Sequence, residues 1–159
     1  MMIKLDQTDC RILTELQRDA SQSQRELADK VGLSQNACWR RLKALEADNA
    51  IRRRTVLLNR EHLGAGLVVI MMIRTRHHSL SWLTTFRKHV SSIPDVVDFY
   101  RIGGDYDYLI KVVTNDMGSY DKIYQRLISE VELENVTSYF AMEAIEEQRP
   151  IPLFRTDGK

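Results

Sequence analysis

Apolar residues recur along this chain with two different periods, and the change between them divides it. Up to about residue 50 they return every three or four positions: Ile12, Leu13, Leu16 and Ala20, then Leu27, Ala28 and Val31, then Cys38, Leu42 and Leu45. That is the spacing of three amphipathic helices, each burying one stripe. Polar residues mark where the helices begin and end. Asp6 is placed to cap the first, with Leu5 and Cys10 as a hydrophobic staple. Ser23 and Glu26 have the S-x-x-E spacing of a capping box, which predicts a second helix over 24–31. Gly32 suits the left-handed residue that ends it, and Ser34 suits the cap of the third, with Leu33 and Cys38 as its staple. A turn of about three residues between two helices is the length of a helix-turn-helix.

After residue 50 the pattern alternates. The stretch 51–59, ending Thr55-Val56-Leu57-Leu58, suits a short wing strand, and Gly64 and Gly66 mark a boundary. The order strand, helix, strand then occurs twice. Strands are predicted over 67–75, 96–102, 106–113 and 136–145. Trp82, Leu83, Phe86 and Val90 define one helix, and Tyr120, Ile123, Tyr124, Leu127, Ile128 and Val131 another. The predicted fold class is therefore α+β: an N-terminal winged helix-turn-helix over 1–59, a linker over 60–66, a ferredoxin-like βαββαβ domain over 67–153 and a tail over 154–159. Both helices of the second domain cover one face of its sheet. The other face leaves an apolar stripe seeking cover, so sheet-to-sheet or edge dimerisation is expected.

Charge changes the picture once the chain is divided. Residues 1–60 carry 12 Lys and Arg against 8 Asp and Glu, whereas residues 61–159 carry 11 against 14, so the overall +1 hides a basic front and an acidic rear. A polyanion is attracted to the first half and repelled by the second. With 43% hydrophobic residues the chain has enough apolar surface for packed domains. Its two cysteines, Cys10 and Cys38, fall at apolar helical positions, which argues for core thiols rather than a disulfide framework. No signal-like or membrane-spanning run is present, and a cytoplasmic protein with no membrane partner is expected.

The buried stripe of the third helix leaves Gln35, Asn36, Trp39, Arg40 and Lys43 outside it. Amides near a helix start followed by cations and a flat aromatic suit base edges and phosphates in a major groove. Ser34, Arg41 and the Arg52-Arg53-Arg54 run complete the candidate DNA-binding set, with Arg41 and the triplet expected at phosphates. Enzyme signatures are lacking: there is no G-x-x-x-x-G-K loop, no H-E-x-x-H helix and no C-x-x-C pair. His77 and His78 are adjacent and on a strand face opposite ways, so no metal site is expected, and no catalytic residue is assigned. Asp105 and Asp107 share a parity but lack a companion nucleophile.

The chain as a whole resembles the Lrp/AsnC family of leucine- and asparagine-responsive transcription regulators. The resemblance rests on Leu5-Asp6-x-x-Asp9, Val31-Gly32-Leu33-Ser34, Cys38-Trp39-Arg40-Arg41-Leu42-Lys43-x-Leu45-Glu46 and Leu57-Leu58-Asn59 in the first half. In the second it rests on Gly104-Asp105-Tyr106-Asp107-Tyr108-Leu109 and Tyr139-x-x-Met142-Glu143. Cys38-Trp39, Thr75-x-His77-His78 and Phe140-Ala141-Met142-Glu143 look most like its cysteine-responsive detoxification subgroup. The chain departs from many relatives at Asn49 and Arg53, where glycine is common. Asparagine tolerates left-handed geometry, whereas arginine puts the usual wing shape in question.

The resemblance implies an amino-acid-sensing rear domain, homodimers that associate further into octamers, and double-stranded DNA as partner. Two recognition helices of a dimer are then about 34 to 36 Å apart or a multiple of that. The family places its effector at a dimer-interface loop, here Gly103, Gly104, Asp105, Tyr106 and Asp107, with Thr137, Ser138 and Tyr139 as neighbours. The chemistry agrees: a zwitterion needs amide donors for its carboxylate and a carboxylate for its ammonium. On local sequence alone, Gly-Gly-Asp reads first as a hairpin turn. No cofactor is expected beyond a small amino-acid effector, with cysteine the candidate. The alternative is an architectural DNA-compacting protein of the same fold that answers to no ligand.

Overall fold

The computed structural model describes residues 3–153 and divides into two compact units, one formed by the chain up to Leu57 together with the segment from Glu146 onward, the other by Leu58–Ile145. The expected tail at 154–159 lies outside the described residues.

In the first unit, α1 (Gln7–Arg18), α2 (Gln24–Val31) and α3 (Gln35–Ala47) follow the predicted periods closely. Asp6 and Asp9 form a capping box on α1, and Ser23 and Glu26 form one on α2. Gly32 ends α2 at φ +72°, a conformation open to glycine at no steric cost. Asn49 follows α3 at φ +57°, so asparagine fills the left-handed position that glycine fills elsewhere. Ile12, Leu27, Ala28, Cys38, Leu42 and Leu45 form the core of this unit. Cys38 is a packing residue, 1% exposed in this core, and burial pushes its thiol up from its ordinary range.

The second unit contains β1 (Leu67–Arg74), α4 (Leu80–Ser91), β2 (Val96–Arg101), β3 (Tyr108–Thr114), α5 (Met117–Ser129) and β4 (Asn135–Phe140). The strands pair antiparallel in the order β2-β3-β1-β4, the ferredoxin-like arrangement. Val69, Met71 and Ile73 of β1 and Tyr108, Ile110 and Val112 of β3 pack with Phe86, Val90, Ile123 and Leu127 from the two helices. The opposite parity puts Ile70, Met72, Leu109 and Val113 on the other face, where they are half-buried. Tyr100 and Tyr139 on that face are more than half exposed, at 55% and 54%.

Some expected elements differ, each for a physical reason. Residues 51–59 form no strand, and Val56, Leu57 and Leu58 are 69–78% exposed. A strand exists through its ladder of hydrogen bonds, and this segment has no paired neighbour among the described residues. The expected linker at 60–66 is a hydrogen-bonded turn: Leu63 and Ala65 donate to the Arg60 carbonyl, and Gly64 donates to that of Glu61. The strand expected over 136–145 stops at Phe140, because its partner β1 begins at Leu67 and offers one further bond, from the Ala141 amide to the Val68 carbonyl. Beyond it Met142 is 99% and Ile145 89% exposed. Residues 146–153 cluster with the first unit, where Leu153 packs against the helical core.

Candidate nucleic-acid interface and effector loop

Ser34 caps α3 by accepting the Ala37 amide at 3.3 Å, and this helix has no acidic residue in its first turn. The first turns of α1 and α2 hold Asp9 and Glu26. The positive end of the α3 dipole is therefore left without a carboxylate, as suits a helix end that meets phosphate. Gln35, Asn36, Trp39, Arg40 and Lys43 are all exposed, on the side away from Cys38, Leu42 and Leu45. Trp39 is 46% exposed, although an indole gains most from burial.

The cations of this region differ in what holds them. Arg41 is turned inward, and its guanidinium reaches Asp6 Oδ2 at 2.6 Å and Asp9 Oδ1 at 2.8 Å. It braces α3 against the capping box of α1, and its side chain keeps 38% exposure. The Asp6 carboxyl is held below its ordinary range, first by the Asp9 amide and then by Arg41. Glu46 takes both Lys43 Nζ at 2.8 Å and Arg54 at 3.0 Å, and these cations lower its pKa, Lys43 foremost. Arg54 is thereby tied to α3, and Lys43 must share its charge. Arg40, Arg52 and Arg53 are exposed cations. Arg53 keeps an ordinary backbone with no positive φ.

In the second unit the loop joining β2 to β3 is fastened at both ends. The Ile102 amide donates to the Asp107 carbonyl, and the Asp107 amide donates to that of Ile73, both at 2.9 Å. Asp107 Oδ2 accepts the Thr75 amide at 2.8 Å. These bonds start β3 at Tyr108 rather than Tyr106, and they make Asp107 a brace between the loop and the end of β1. Arg74 donates from Nε to the Asp105 carbonyl at 2.7 Å and lies 5.3 Å from the Tyr106 ring centroid. Gly104 has φ +121° and, like Gly103, is exposed with open space where a Cβ would stand. The Asp105 carboxylate is exposed.

Loop and last strand do meet. Tyr106 Oη lies 3.3 Å from Thr137 Oγ1, which itself donates to Asn135 Oδ1 at 2.9 Å. Thr137 and Tyr139 pair with Met72 and Ile70 and so share the sheet face without helices. Ser138 pairs with Met71, faces the helices and hydrogen-bonds Tyr120. It is therefore removed from the loop it was expected to neighbour. Arg74 was missed in the sequence, where its place at a strand end gave no sign of loop contact. His77 and His78 lie beyond the end of β1, and among the described residues no group of three or more His, Cys, Asp or Glu could hold a metal ion. No helix among them is long and apolar enough to cross a membrane.

A capped helix-turn-helix with a polar, cationic outer face, followed by a separate α+β unit with a glycine-rich loop, defines a DNA-binding regulator with a sensing module. Comparison with known proteins sharpens this class. Residues 5–52 match the winged helix-turn-helix DNA-binding family and residues 68–151 the Lrp/AsnC ligand binding domain. The chain is 43% identical over 159 residues to a glutamate uptake regulatory protein of Zymomonas mobilis, covering 100% of this chain and 97% of the relative. It is 41% identical to the DNA-binding transcriptional activator DecR of Escherichia coli, covering 94% and 99%. An AsnC family transcriptional regulator from Agrobacterium tumefaciens superposes with a TM-score of 0.90 at 44% identity, over 93% of this chain and 97% of that one. A Neisseria meningitidis regulator solved as an L-methionine complex gives 0.88 at 29%, over 94% and 97%. The chain belongs to the Lrp/AsnC family of transcription regulators, a family of DNA-binding proteins and not of enzymes.

Proposed function

We propose that this regulator is a cytoplasmic homodimer that assembles further, and that a small amino acid bound at the rear unit alters its hold on DNA. The duplex is met by Gln35, Asn36, Trp39, Arg40 and Lys43 on α3, with Arg52, Arg53 and Arg54 at the backbone. The effector is met by Gly103, Gly104, Asp105 and Tyr106, with Thr137 and Tyr139 beside them. The observation that carries this reading is the 3.3 Å approach of Tyr106 to Thr137, which joins the loop to β4 on the open sheet face. Exposed glycine amides and the Asp105 carboxylate there offer the two complementary charges that a zwitterion requires. The apolar positions Ile70, Met72, Leu109 and Val113 on the same face favour cover by a second copy. The L-methionine complex of the Neisseria meningitidis relative supports the ligand class, and the subgroup resemblance makes cysteine the first candidate.

A thermal-shift screen of the twenty amino acids tests this. An effector present at about a hundred times its dissociation constant stabilises by about 2.7 kcal/mol. A raised transition with one or a few amino acids is expected. Twenty flat responses would favour the ligand-independent architectural reading.

A further inference from the structure

We propose that Pro150–Leu153 is a built-in strap for the DNA-binding unit, holding the segment that follows α3 so that Arg52–Arg54 are presented to the duplex. The segment has no strand ladder to hold it. Its position depends on side contacts instead. One is the Arg54–Glu46 pair; the other is the packing of Ala50 and Ile51 at its start on the helical core, beside a groove of about 360 Å³ whose apolar lining is Leu13, Leu16, Ala20, Ala50 and Ile51. Ile151 and Leu153 line this groove together with Arg52–Arg54. Leu153 also packs on the helical core.

The strap has a specified register. Pro150 and Pro152 carry no backbone N–H, so Ile151 is the one amide donor of its triplet. The Gln17 side chain satisfies both of its backbone groups. Gln17 Oε1 accepts the Ile151 amide at 2.7 Å, and Gln17 Nε2 donates to the Ile151 carbonyl at 3.1 Å. A slip by one residue would set a proline against Gln17 and lose the shorter bond. Two fixed proline φ angles also reduce the entropy lost on seating the segment. Upstream, Gln148 turns the chain at φ +54° and Arg149 pairs with Glu146 at 2.7 Å.

The test uses the full-length chain with Gln17→Ala, and Leu153→Asp as a second variant. Amide exchange at Ile151 reports whether the strap is seated, and titration with a short random-sequence duplex reports phosphate contacts. Expected in Gln17→Ala are faster exchange at Ile151, unchanged protection in α1–α3, a loss of about five- to tenfold in affinity and a salt slope shallower by about 1 to 2. Fast exchange at Ile151 with affinity and slope unchanged would overturn the proposal. So would an Ile151 amide already unprotected in the wild-type protein. Gln17→Ala removes no core side chain and so decides the matter if Leu153→Asp fails to fold.

Discussion

Helix α3 displays its chemistry on a capped cylinder, whereas the loop between β2 and β3 displays its chemistry on a hairpin connection stitched down by its own groups. On the helix, successive residues point about 100° apart. Arg40 and Arg41 therefore separate cleanly, one facing outward and one clamped on Asp6 and Asp9. In the loop the separation comes from bonding rather than direction. Asp107 spends its amide, its carbonyl and one carboxylate oxygen on neighbours, while Asp105 yields only a carbonyl, to Arg74. In both places two like residues divide into one that fastens and one that is exposed.

The division can be broken most forcefully at the outward cations. Replacing Arg40, Arg52 and Arg53 together by Ala is expected to weaken binding to any duplex by about a hundredfold at moderate salt, with thermal stability unchanged. Fluorescence anisotropy on a random duplex measures the first and calorimetry the second. In the loop, Asp107→Ala should lower the melting stability of the rear unit by about 1 to 2 kcal/mol, because the buried Thr75 amide loses its acceptor. Asp105→Ala should leave stability intact and remove the thermal shift caused by the effector; a full shift in that variant would reassign the ammonium site.

A smaller effect is expected at the inward cation. Arg41→Ala should cost about 1 kcal/mol in denaturant unfolding, the upper end for partly exposed pairs, since one guanidinium serves two carboxylates. The smallest test is acid. Asp6, Glu26 and Asp116 are each held below their ordinary values chiefly by backbone amides at helix starts. Groups so lowered contribute fully above the ordinary carboxylate range and lose their contribution as pH falls through the folded value. Melting temperatures in both units should thus be flat from neutrality to about pH 5 and decline below about pH 4.

The three helices, their caps and the βαββαβ order were legible because each is written locally, in apolar period and in cap residues such as Ser23, Glu26 and Gly32. What escaped depends on partners distant in sequence. Arg41 reads like its neighbours in a basic helix, and only the approach of α1 reveals its carboxylates. The segment 51–59 has strand-forming residues but no paired strand among the described residues, and β4 ends at Phe140 with one further bond, from Ala141 to Val68. The family resemblance groups Thr137 with Ser138, yet alternation sends one to the loop and the other to Tyr120. Gln17 and Ile151 meet across most of the chain length.

The most direct test of the division of labour on α3 is the salt dependence of duplex affinity for Arg40→Ala beside Arg41→Ala. A phosphate contact contributes about 0.9 to the slope of log affinity against log salt. The account predicts a shallower slope by about that amount for Arg40→Ala and the wild-type slope for Arg41→Ala. A shallower slope for Arg41→Ala, with Arg40→Ala unchanged, would contradict it.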